Sequence, residues 1–318
     1  MKTLLLWTTI LLISCTQSDS IIDRQINTAY KHFDNQNYPE VILTTDSIIS
    51  IDPNNYEALV LKGRALFNLD EIDSGITYLS KAIQINPQIP ETYSHRAVMY
   101  NFTRDYDLAI EDMNVAIDGD PKNMEYLNIR GGLFFKITSY DKALHDYNYI
   151  LDSIPDNYNI LVYRATIYRI IEDYEKATKD IQKAIELDPE NELAYEERAY
   201  LKLMLNNTQG SINDYSLVIE KLESNSNQDI FLAYTYNNRG FAYYKSGDHD
   251  RALADINYSI ELFPNNSYAY KNRALIFIAK NELIIACSDL EKATELGYDR
   301  QYDNEVFELK QKYCDNKN

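Results

Sequence analysis

The chain has 318 residues and a formal net charge of −18, from 31 lysines and arginines against 49 aspartates and glutamates. Such a surface repels nucleic acid and anionic lipid head groups, and no basic stripe interleaved with aromatic residues offsets it, so we predict no nucleic-acid partner. Only 9 glycines and 8 prolines stand beside 28 tyrosines, a composition that suits packed helices with aromatic side chains between them.

The N-terminal residues predict a targeting signal. Met1-Lys2 is followed by an apolar run from Leu4 to Ile13. The run has the basic start of a cleavable signal peptide and is too short to span a bilayer stably. The run ends in Leu12-Ile13-Ser14-Cys15, which resembles the lipobox of bacterial lipoproteins, in which the cysteine thiol is lipidated and becomes the new N-terminus.

The lipobox resemblance implies a location. It places a signal peptide over 1–14 and a tether over 15–21, with the lipid on Cys15 as the only hold on a bacterial envelope membrane. Thr16 beside the cysteine, in place of aspartate, favours the outer membrane. The alternative is an ordinary secretory signal in which Cys15 is incidental.

A fixed period follows the signal. Five prolines stand 34 residues apart, and a sixth lies 75 residues further on: Pro53, Pro87, Pro121, Pro155, Pro189 and Pro264. A period of this length predicts stacked helical repeats, and the sixth spacing is two periods plus seven residues.

Small residues recur at two points of the repeat when each proline is counted as repeat position 32. Position 8 is Ala29, Gly63, Ala97, Gly131, Ala165, Ala199, Gly240 and Ala274. Position 20 is Val41, Gly75, Ala109, Ala143, Ala177, Ser211, Ala252 and Ala286. Two antiparallel helices need such residues where their backbones cross closely.

This pattern resembles the tetratricopeptide repeat. The repeat Tyr158–Asn191 matches it at Ala165, Tyr168, Tyr174, Ala177, Ile181, Ala184 and Pro189. The resemblance implies an all-α fold, a right-handed superhelical solenoid of about eight helix-turn-helix repeats over 22–300. The repeats start near residues 22, 56, 90, 124, 158, 192, 233 and 267, and 301–318 supply a capping helix and tail.

One repeat departs from the pattern. In 192–225, Lys202, Thr208 and Glu223 replace the expected tyrosine, tyrosine and proline. The seven extra residues fall just after it, around Glu223–Leu232, and are predicted to form a longer connection.

A charged pair also recurs, with arginine at repeat position 7 and aspartate at position 23. It is present in repeats three to eight: Arg96/Asp112, Arg130/Asp146, Arg164/Asp180, Arg198/Asp214, Arg239/Asp255 and Arg273/Asp289. The first two repeats carry Thr28/Thr44 and Lys62/Tyr78 instead. Because both members appear or disappear together, we interpret them as structural ion pairs between the two helices of one repeat. The other interpretation is a ladder that grips a ligand carboxylate.

The sequence indicates no catalytic chemistry. Its four histidines fall at different repeat positions and do not converge: His32, His95, His145 and His249. The cysteines lack a metal-binding spacing. There is no glycine-rich phosphate loop and no hydrolase or metalloprotease motif. We therefore predict no enzyme activity, no cofactor and no metal.

Cysteines mark the end of the array. Cys287 lies in the last repeat, and Cys314 ends a segment, about Tyr302 to Tyr313, that is predicted to be a capping helix after Gly297. In an oxidising compartment two such cysteines suggest a disulfide. Two separate thiols are the alternative.

The resemblance also implies where a partner would bind. Ligands of tetratricopeptide repeats usually lie along the concave face, at repeat positions 2, 5, 9, 12 and 13. The apolar candidates there, here called the groove set, are Phe102, Phe135, Ile170, Tyr200, Leu203, Met204, Tyr234, Phe241, Tyr244, Leu275 and Ile278. Basic residues at these positions are few: Arg64, Lys136, Arg169, Lys245 and Lys271.

This composition favours a hydrophobic or extended peptide over an acidic tail. We thus expect a lipid-anchored envelope scaffold that binds protein or peptide partners. Two alternatives remain: the groove set packs against neighbouring repeats, or the protein is a receptor or carrier for a small-molecule nutrient.

Overall fold

The structure, a computed structural model, describes residues 21–224, 229–301 and 304–315. These residues form α-helices, with no strand among them. Cys15, the signal peptide over 1–14 and the tether up to residue 20 lie outside the described residues. None of the helices in the described part is long and apolar enough to cross a membrane.

The chain divides into two compact units, Met1–Pro155 and Asp156–Asn318. The helices of the first unit are α1 (21–34), α2 (Tyr38–Ile51), α3 (Tyr56–Asn68), α4 (Ile72–Ile85), α5 (Pro90–Thr103), α6 (Tyr106–Gly119), α7 (Met124–Lys136) and α8 (Tyr140–Ser153). The helices of the second unit are α9 (Tyr158–Ile170), α10 (Tyr174–Leu187), α11 (Glu192–Met204), α12 (Thr208–Glu223), α13 (Asp229–Lys245), α14 (His249–Leu262), α15 (Ser267–Ala279), α16 (Leu283–Glu295), α17 (Tyr298–Gln301) and α18 (Glu305–Tyr313).

Consecutive helices pack in pairs within each unit. The predicted all-α repeat solenoid is therefore confirmed as the fold class. Odd-numbered helices up to α15 are the first helices of the repeats, and even-numbered helices up to α16 are the second helices.

Asparagine starts most first helices. The asparagine that precedes the helix accepts a backbone N–H of the first turn at Asn55, Asn123, Asn157, Asn191 and Asn266. Such a cap satisfies one of the N–H groups that a helix start leaves without a partner. The helix α5 begins at Pro90 instead, where the missing N–H of proline costs little.

The turn between the two helices of a repeat is closed by a residue with left-handed backbone. That residue stands at repeat position 15: Gln36, Asp70, Arg104, Thr138, Glu172, Asn206, Gly247 and Asn281. Only Gly247 is a glycine, so the other side chains adopt a conformation that costs about 1–2 kcal/mol. The packing of the two helices outweighs this cost.

The helices cross where positions 8 and 20 meet. A Cβ atom on Gly75 would lie 2.9 Å from the Gly63 carbonyl oxygen, and one on Gly131 would lie 2.6 Å from the Tyr147 ring. Neither position has room for a larger side chain. The recurring small residues are thus explained by close backbone approach.

The segment around the seven extra residues was predicted to be a longer connection, but part of it is helical. The helix α12 has 16 residues and α13 has 17, so Asp229–Leu232 are helical. Leu222 and Leu232 are buried together with Val218 and Ile219. Apolar contact between α12 and α13 explains why these two helices are longer than those of the other repeats.

The C-terminal cap covers the last repeat. After Gly297, with φ of 83°, Tyr298 and Val306 are fully buried against Ala286 and Leu290 of α16. The predicted capping helix is α18, which begins at Glu305; Tyr302 lies outside the described residues. The short helix α17 was not predicted.

Candidate functional site

Several first helices of neighbouring repeats contact each other. In the first compact unit α3 contacts α5, and in the second unit α9, α11, α13 and α15 form a continuous row. The row of the second unit carries nine of the eleven members of the groove set, and α5 and α7 of the first unit carry the other two. Phe102 and Phe135 belong to the first unit, and the other members belong to the second.

The members of the groove set differ in exposure. Phe102 on α5 and Met204 on α11 are 62% and 41% exposed, and Ile170 and Tyr234 are exposed to a similar extent as Met204. The remaining accessible members are half-buried: Phe135, Tyr200, Phe241, Tyr244, Leu275 and Ile278. The row therefore presents apolar side chains that are partly available to a ligand.

Leu203 was wrongly assigned to the groove set. It is only 6% exposed and packs with Ala199, Ile212 and Tyr215. Its position on α11 turns it into the contact with α12, so it belongs to the core. A helical position pattern alone does not separate these two environments.

Several accessible members also contact neighbouring aromatic rings. Phe102 packs edge-on against Phe67 at 4.9 Å, and Tyr234 against Phe263 at 6.0 Å between ring centroids. Tyr244 stacks on His249 at 5.8 Å. These rings are held in place before any ligand binds, which lowers the entropy cost of binding.

The basic residues of the row already have partners. Arg64 lies over the Phe33 ring at 4.5 Å, Lys136 donates to Asn101 at 2.8 Å, and Lys245 lies over Phe241 at 5.3 Å. These contacts leave the row without a repeated arrangement of free cations for an acidic ligand.

Lys271 was also placed in the groove, but it is buried. Its ammonium pairs with Glu305 of α18 at 3.0 Å and lies over the Tyr268 ring at 4.5 Å. The cap thus supplies the carboxylate that compensates this charge.

The six predicted arginine–aspartate pairs are all in contact. In each, Nε and Nη2 of the arginine donate to the two carboxylate oxygens at 2.7–2.9 Å. The bond to Asp112 raises the pKa of the Arg96 guanidinium. Since the pairs use both carboxylate oxygens, the geometry favours the structural interpretation over a grip on a ligand.

The aspartates of these pairs lie in the core and not on a surface that a ligand could reach. All six are buried, with at most 8% of the residue exposed: Asp112, Asp146, Asp180, Asp214, Asp255 and Asp289. The sequence pattern paired them correctly but did not reveal their depth, because aspartate is usually an exposed residue. Each is buried at the crossing of two helices, where the bidentate arginine compensates its charge.

A third contact of the arginine was not predicted. Nη1 of Arg96 donates to Ser80 at 2.9 Å, and Nη1 of Arg130 donates to Asn114 at 2.8 Å. Arg239 and Arg273 bond Ser216 and Asn257 in the same way. Each acceptor stands at position 25 of the preceding repeat, so the arginine joins two repeats as well as two helices.

The second repeat keeps this arrangement with different residues. Lys62 replaces the arginine, bonds Asp46 at position 25 of the first repeat, and donates to the Tyr78 hydroxyl at 2.9 Å. The carboxylate therefore comes from position 25 of the preceding repeat, and not from position 23 of the same repeat as in repeats three to eight. Position 25 could have revealed the pattern, because it is polar in every one of these repeats.

The cap continues the same contacts. Lys310 of α18 pairs with Glu291, which stands at position 25 of the last repeat, at 2.5 Å. The structure also joins Cys287 of α16 to Cys314 at the end of α18, with Sγ atoms 2.06 Å and Cα atoms 5.7 Å apart. The cap is therefore held by apolar packing, by the ion pairs Lys310–Glu291 and Lys271–Glu305, and by a disulfide.

A chain of amide hydrogen bonds runs along the row in the second unit. Asn272 of α15 donates to Asn237 of α13 at 3.0 Å, and Asn237 donates to Asn238 at 3.3 Å. Asn238 donates to the Glu196 carboxylate of α11 at 3.2 Å. These polar residues at positions 5 and 6 were not predicted from the sequence, because the predicted groove rests on apolar and basic residues.

The histidines make separate local contacts. His95 lies 3.2 Å from the Glu91 carboxylate, and burial is the main cause that lowers the pKa of His95. His145 approaches Asp146 at 3.5 Å. Among the residues that the structure describes, no group of three or more histidine, cysteine, aspartate or glutamate side chains could hold a metal ion.

Comparisons with known proteins agree with this geometry. Residues 56–89, 159–191 and 233–266 match sequence models of the tetratricopeptide repeat. The chain therefore contains tetratricopeptide repeats. No curated protein has a significantly similar sequence.

Solved structures share the fold. A tetratricopeptide repeat protein from Parabacteroides merdae is 24% identical, with a TM-score of 0.70 over 80% of this chain and 98% of its own. One chain in the structure of the Cut9–Hcn1 hetero-tetramer of the APC/C is 16% identical, with a TM-score of 0.68 over 91% of this chain and 55% of that one. The C-terminal part of a repeat protein from Cytophaga hutchinsonii is 17% identical, with a TM-score of 0.57 over 78% and 98%. At these identities the likeness concerns the fold alone.

Proposed function

We propose that this protein is a lipid-anchored scaffold of a bacterial cell envelope, held at the outer membrane. It binds a protein or peptide partner along the row of first helices, and it has no catalytic role. Stacked tetratricopeptide repeats suit this role, because they offer an extended surface of first helices and need no closed active site.

One observation carries the binding proposal. Large apolar side chains of the first helices remain exposed in each unit, with Phe102 at 62% in the first unit and Met204 at 41% in the second. Exposed large apolar side chains that recur along one face are typical of a protein-interaction surface. The buried arginine–aspartate pairs tie each first helix of repeats three to eight to its second helix, which supports the row.

The attachment rests on the lipobox resemblance. A thioether-linked diacylglycerol and an N-acyl chain on Cys15 would supply more than one acyl chain, which stable anchoring requires. The tether would then connect Cys15 to α1.

The binding experiment compares matched substitutions. Phe102→Ser and Met204→Ser alter the first-helix row, while Leu43→Ser and Ile285→Ser alter side chains of similar exposure, 62% and 44%, on second helices. Each variant is used to capture partners from detergent-solubilised envelopes, and the captured proteins are identified by mass spectrometry. We expect a shared set of partners for wild type and the second-helix variants, reduced for the first-helix variants.

Equal capture by all four variants would contradict binding along the row. The alternative of a small-molecule receptor or carrier gives a different result. A defined small molecule would stay bound through purification, and native mass spectrometry would detect its mass on the protein.

A further inference from the structure

Glu196 is a half-buried carboxylate on the first-helix row, and it has no cationic partner within the described part of the chain. Asn238 donates to its Oε1 at 3.2 Å, and no other polar contact to it occurs among the described residues. The nearby guanidinium of Arg169 is bound by Glu197 instead, at 2.5 Å and 3.5 Å. Arg169 also lies over the Tyr200 ring at 4.2 Å, which fixes it in place.

A second polar group near Glu196 has no partner. The Tyr215 side chain of α12 is completely buried, and its hydroxyl makes no hydrogen bond within the described part of the chain. Tyr215 packs with Ala199 of α11 and Ala242 of α13, which lie about one helical turn beyond Glu196 and Asn238. Burial raises the pKa of the Tyr215 hydroxyl, and the negative charge of Glu196 raises it further, as expected for neighbouring groups. A buried hydroxyl without a partner costs free energy, and a native structure rarely leaves one so.

The electrostatics of Glu196 are consistent with a missing cation. Burial raises the pKa of Glu196 to about 7, the Asn238 bond lowers it, and the negative charge of Glu197 raises it further. The charged and polar groups that act on Glu196 are Glu197 on α11 and Asn238 on α13, while Arg169 on α9 and Tyr200 on α11 act, with Glu196, on the Tyr215 hydroxyl of α12. Arg169 is paired with Glu197, so among the residues with a described placement no positive charge balances an ionised Glu196.

We propose that Glu196, Tyr215 and Asn238 form a subsite for a lysine side chain of the peptide partner. An ammonium group has three donors and no acceptor. It can donate to the free oxygen of Glu196 and to the Tyr215 hydroxyl while the Asn238 bond stays in place. A compact ammonium suits this arrangement, because the bond from Asn238 already occupies one lone pair of Oε1.

The position on the row agrees with such a ligand. Tyr200 and Phe241 are half-buried members of the groove set, and they stand one helical turn beyond Glu196 on α11 and Asn238 on α13, respectively. They would contact the apolar stem of the lysine or its neighbours in the peptide. The strongly acidic chain, with a net charge of −18, also attracts basic partners over acidic ones.

This inference rests on the proposed peptide-binding function and is tested in two steps. A phage library of short random peptides is first selected on immobilised wild-type protein. Failure to enrich any peptide would count against the proposed function itself. Enriched peptides without a lysine would count against the subsite only.

The second step measures affinity by calorimetry. Enriched peptides are synthesised with the lysine intact or replaced by norleucine, which keeps the apolar stem and removes the ammonium. We expect norleucine to weaken binding about tenfold or more, the effect of losing a partly buried charge pair. Equal affinity of the two peptides would overturn the subsite, and this comparison needs no protein variant.

Protein variants locate the effect. Glu196→Gln should bind the lysine peptide about as weakly as wild type binds the norleucine peptide. Tyr215→Phe should weaken binding of the lysine peptide without lowering the stability of the free protein. Glu220→Gln, which removes an exposed carboxylate on α12, is the control for net charge and should bind as wild type does.

A pH series distinguishes the subsite from general attraction. Binding of an ammonium requires ionised Glu196, so affinity of wild type for the lysine peptide should rise between about pH 6 and pH 8. Glu196→Gln should lack this rise. The same pH dependence in both proteins would show that the lysine binds elsewhere.

Discussion

The contact of Arg96 with Asp112 and Ser80 predicts strong energetic coupling inside the fold. The guanidinium donates to both oxygens of Asp112 at 2.7 Å and 2.8 Å, and the two side chains are only 17% and 8% exposed. Exposed ion pairs contribute about 0–1 kcal/mol. Loss of one partner from a buried pair costs about 3–5 kcal/mol, because the remaining charge is left without compensation.

The loss of stability in the double variant should therefore be smaller than the sum of the losses in the two single variants. Arg96→Ala leaves the Asp112 carboxylate buried and unpaired, and we expect it to lower the free energy of unfolding by about 3 kcal/mol. Asp112→Ala leaves an arginine that can still reach Ser80 and water, so about 2 kcal/mol is expected. The double variant leaves no unpaired charge and should also lose about 3 kcal/mol, which gives a coupling energy of about 2 kcal/mol.

The assay is urea unfolding of the four proteins of this cycle, followed by circular dichroism. Lys292 and Glu295, an exposed pair one turn apart on α16, form the control cycle, where coupling of about 0.5 kcal/mol or less is expected. Additivity of Arg96→Ala and Asp112→Ala within about 0.5 kcal/mol would refute the reasoning.

The bond from Arg96 to Ser80 makes the same arginine a contact between repeats. Ser80→Ala should lower stability by about 1 kcal/mol in the wild-type background and by almost nothing when Arg96 is already alanine. An equal effect in both backgrounds would show that Ser80 acts independently of the arginine.

The other predictions concern the two ends of the array and Glu196. Replacing Cys287 and Cys314, which are 27 residues apart, by serine should lower stability by about 3–4 kcal/mol in the chain-entropy model; two alkylatable thiols in protein purified without reductant would contradict the bond. Because its folded pKa is raised, Glu196 keeps a proton that the unfolded chain releases, so wild-type stability should fall by up to about 3 kcal/mol from about pH 4 to pH 7. Glu196→Gln should lack this fall in denaturant titrations, and equal pH dependence would contradict the assignment. Cys15→Ser should abolish incorporation of a radioactive fatty acid in cells, and equal label on both proteins would exclude the lipid anchor.

Much of the fold could be predicted because the repeats of one chain can be compared with each other. A residue that is small or charged at one position is informative when it recurs every 34 residues. The crossing residues such as Gly63 and Gly75, and pairs such as Arg96 and Asp112, could be recognised in this way.

Residues that break the repetition could not be placed. Leu203 and Met204 are neighbours on α11 with similar side chains, yet Leu203 is buried and Met204 is exposed. Tyr298, which stands at the position of the repeat proline, is buried by a short helix that has no counterpart in other repeats. Such environments depend on the elements that pack against one repeat only.

The sequence by itself determined the period, the helix pairs and which residues of one repeat belong together, because each repeat must bury the same two faces. Only the tertiary structure decided which polar side chains find hydrogen-bond or ion-pair partners. The third bond of the arginines depends on where position 25 of the preceding repeat lies in space. Glu197, and not its neighbour Glu196, pairs with Arg169, and only the packing of α9 against α11 decides which of the two carboxylates does so.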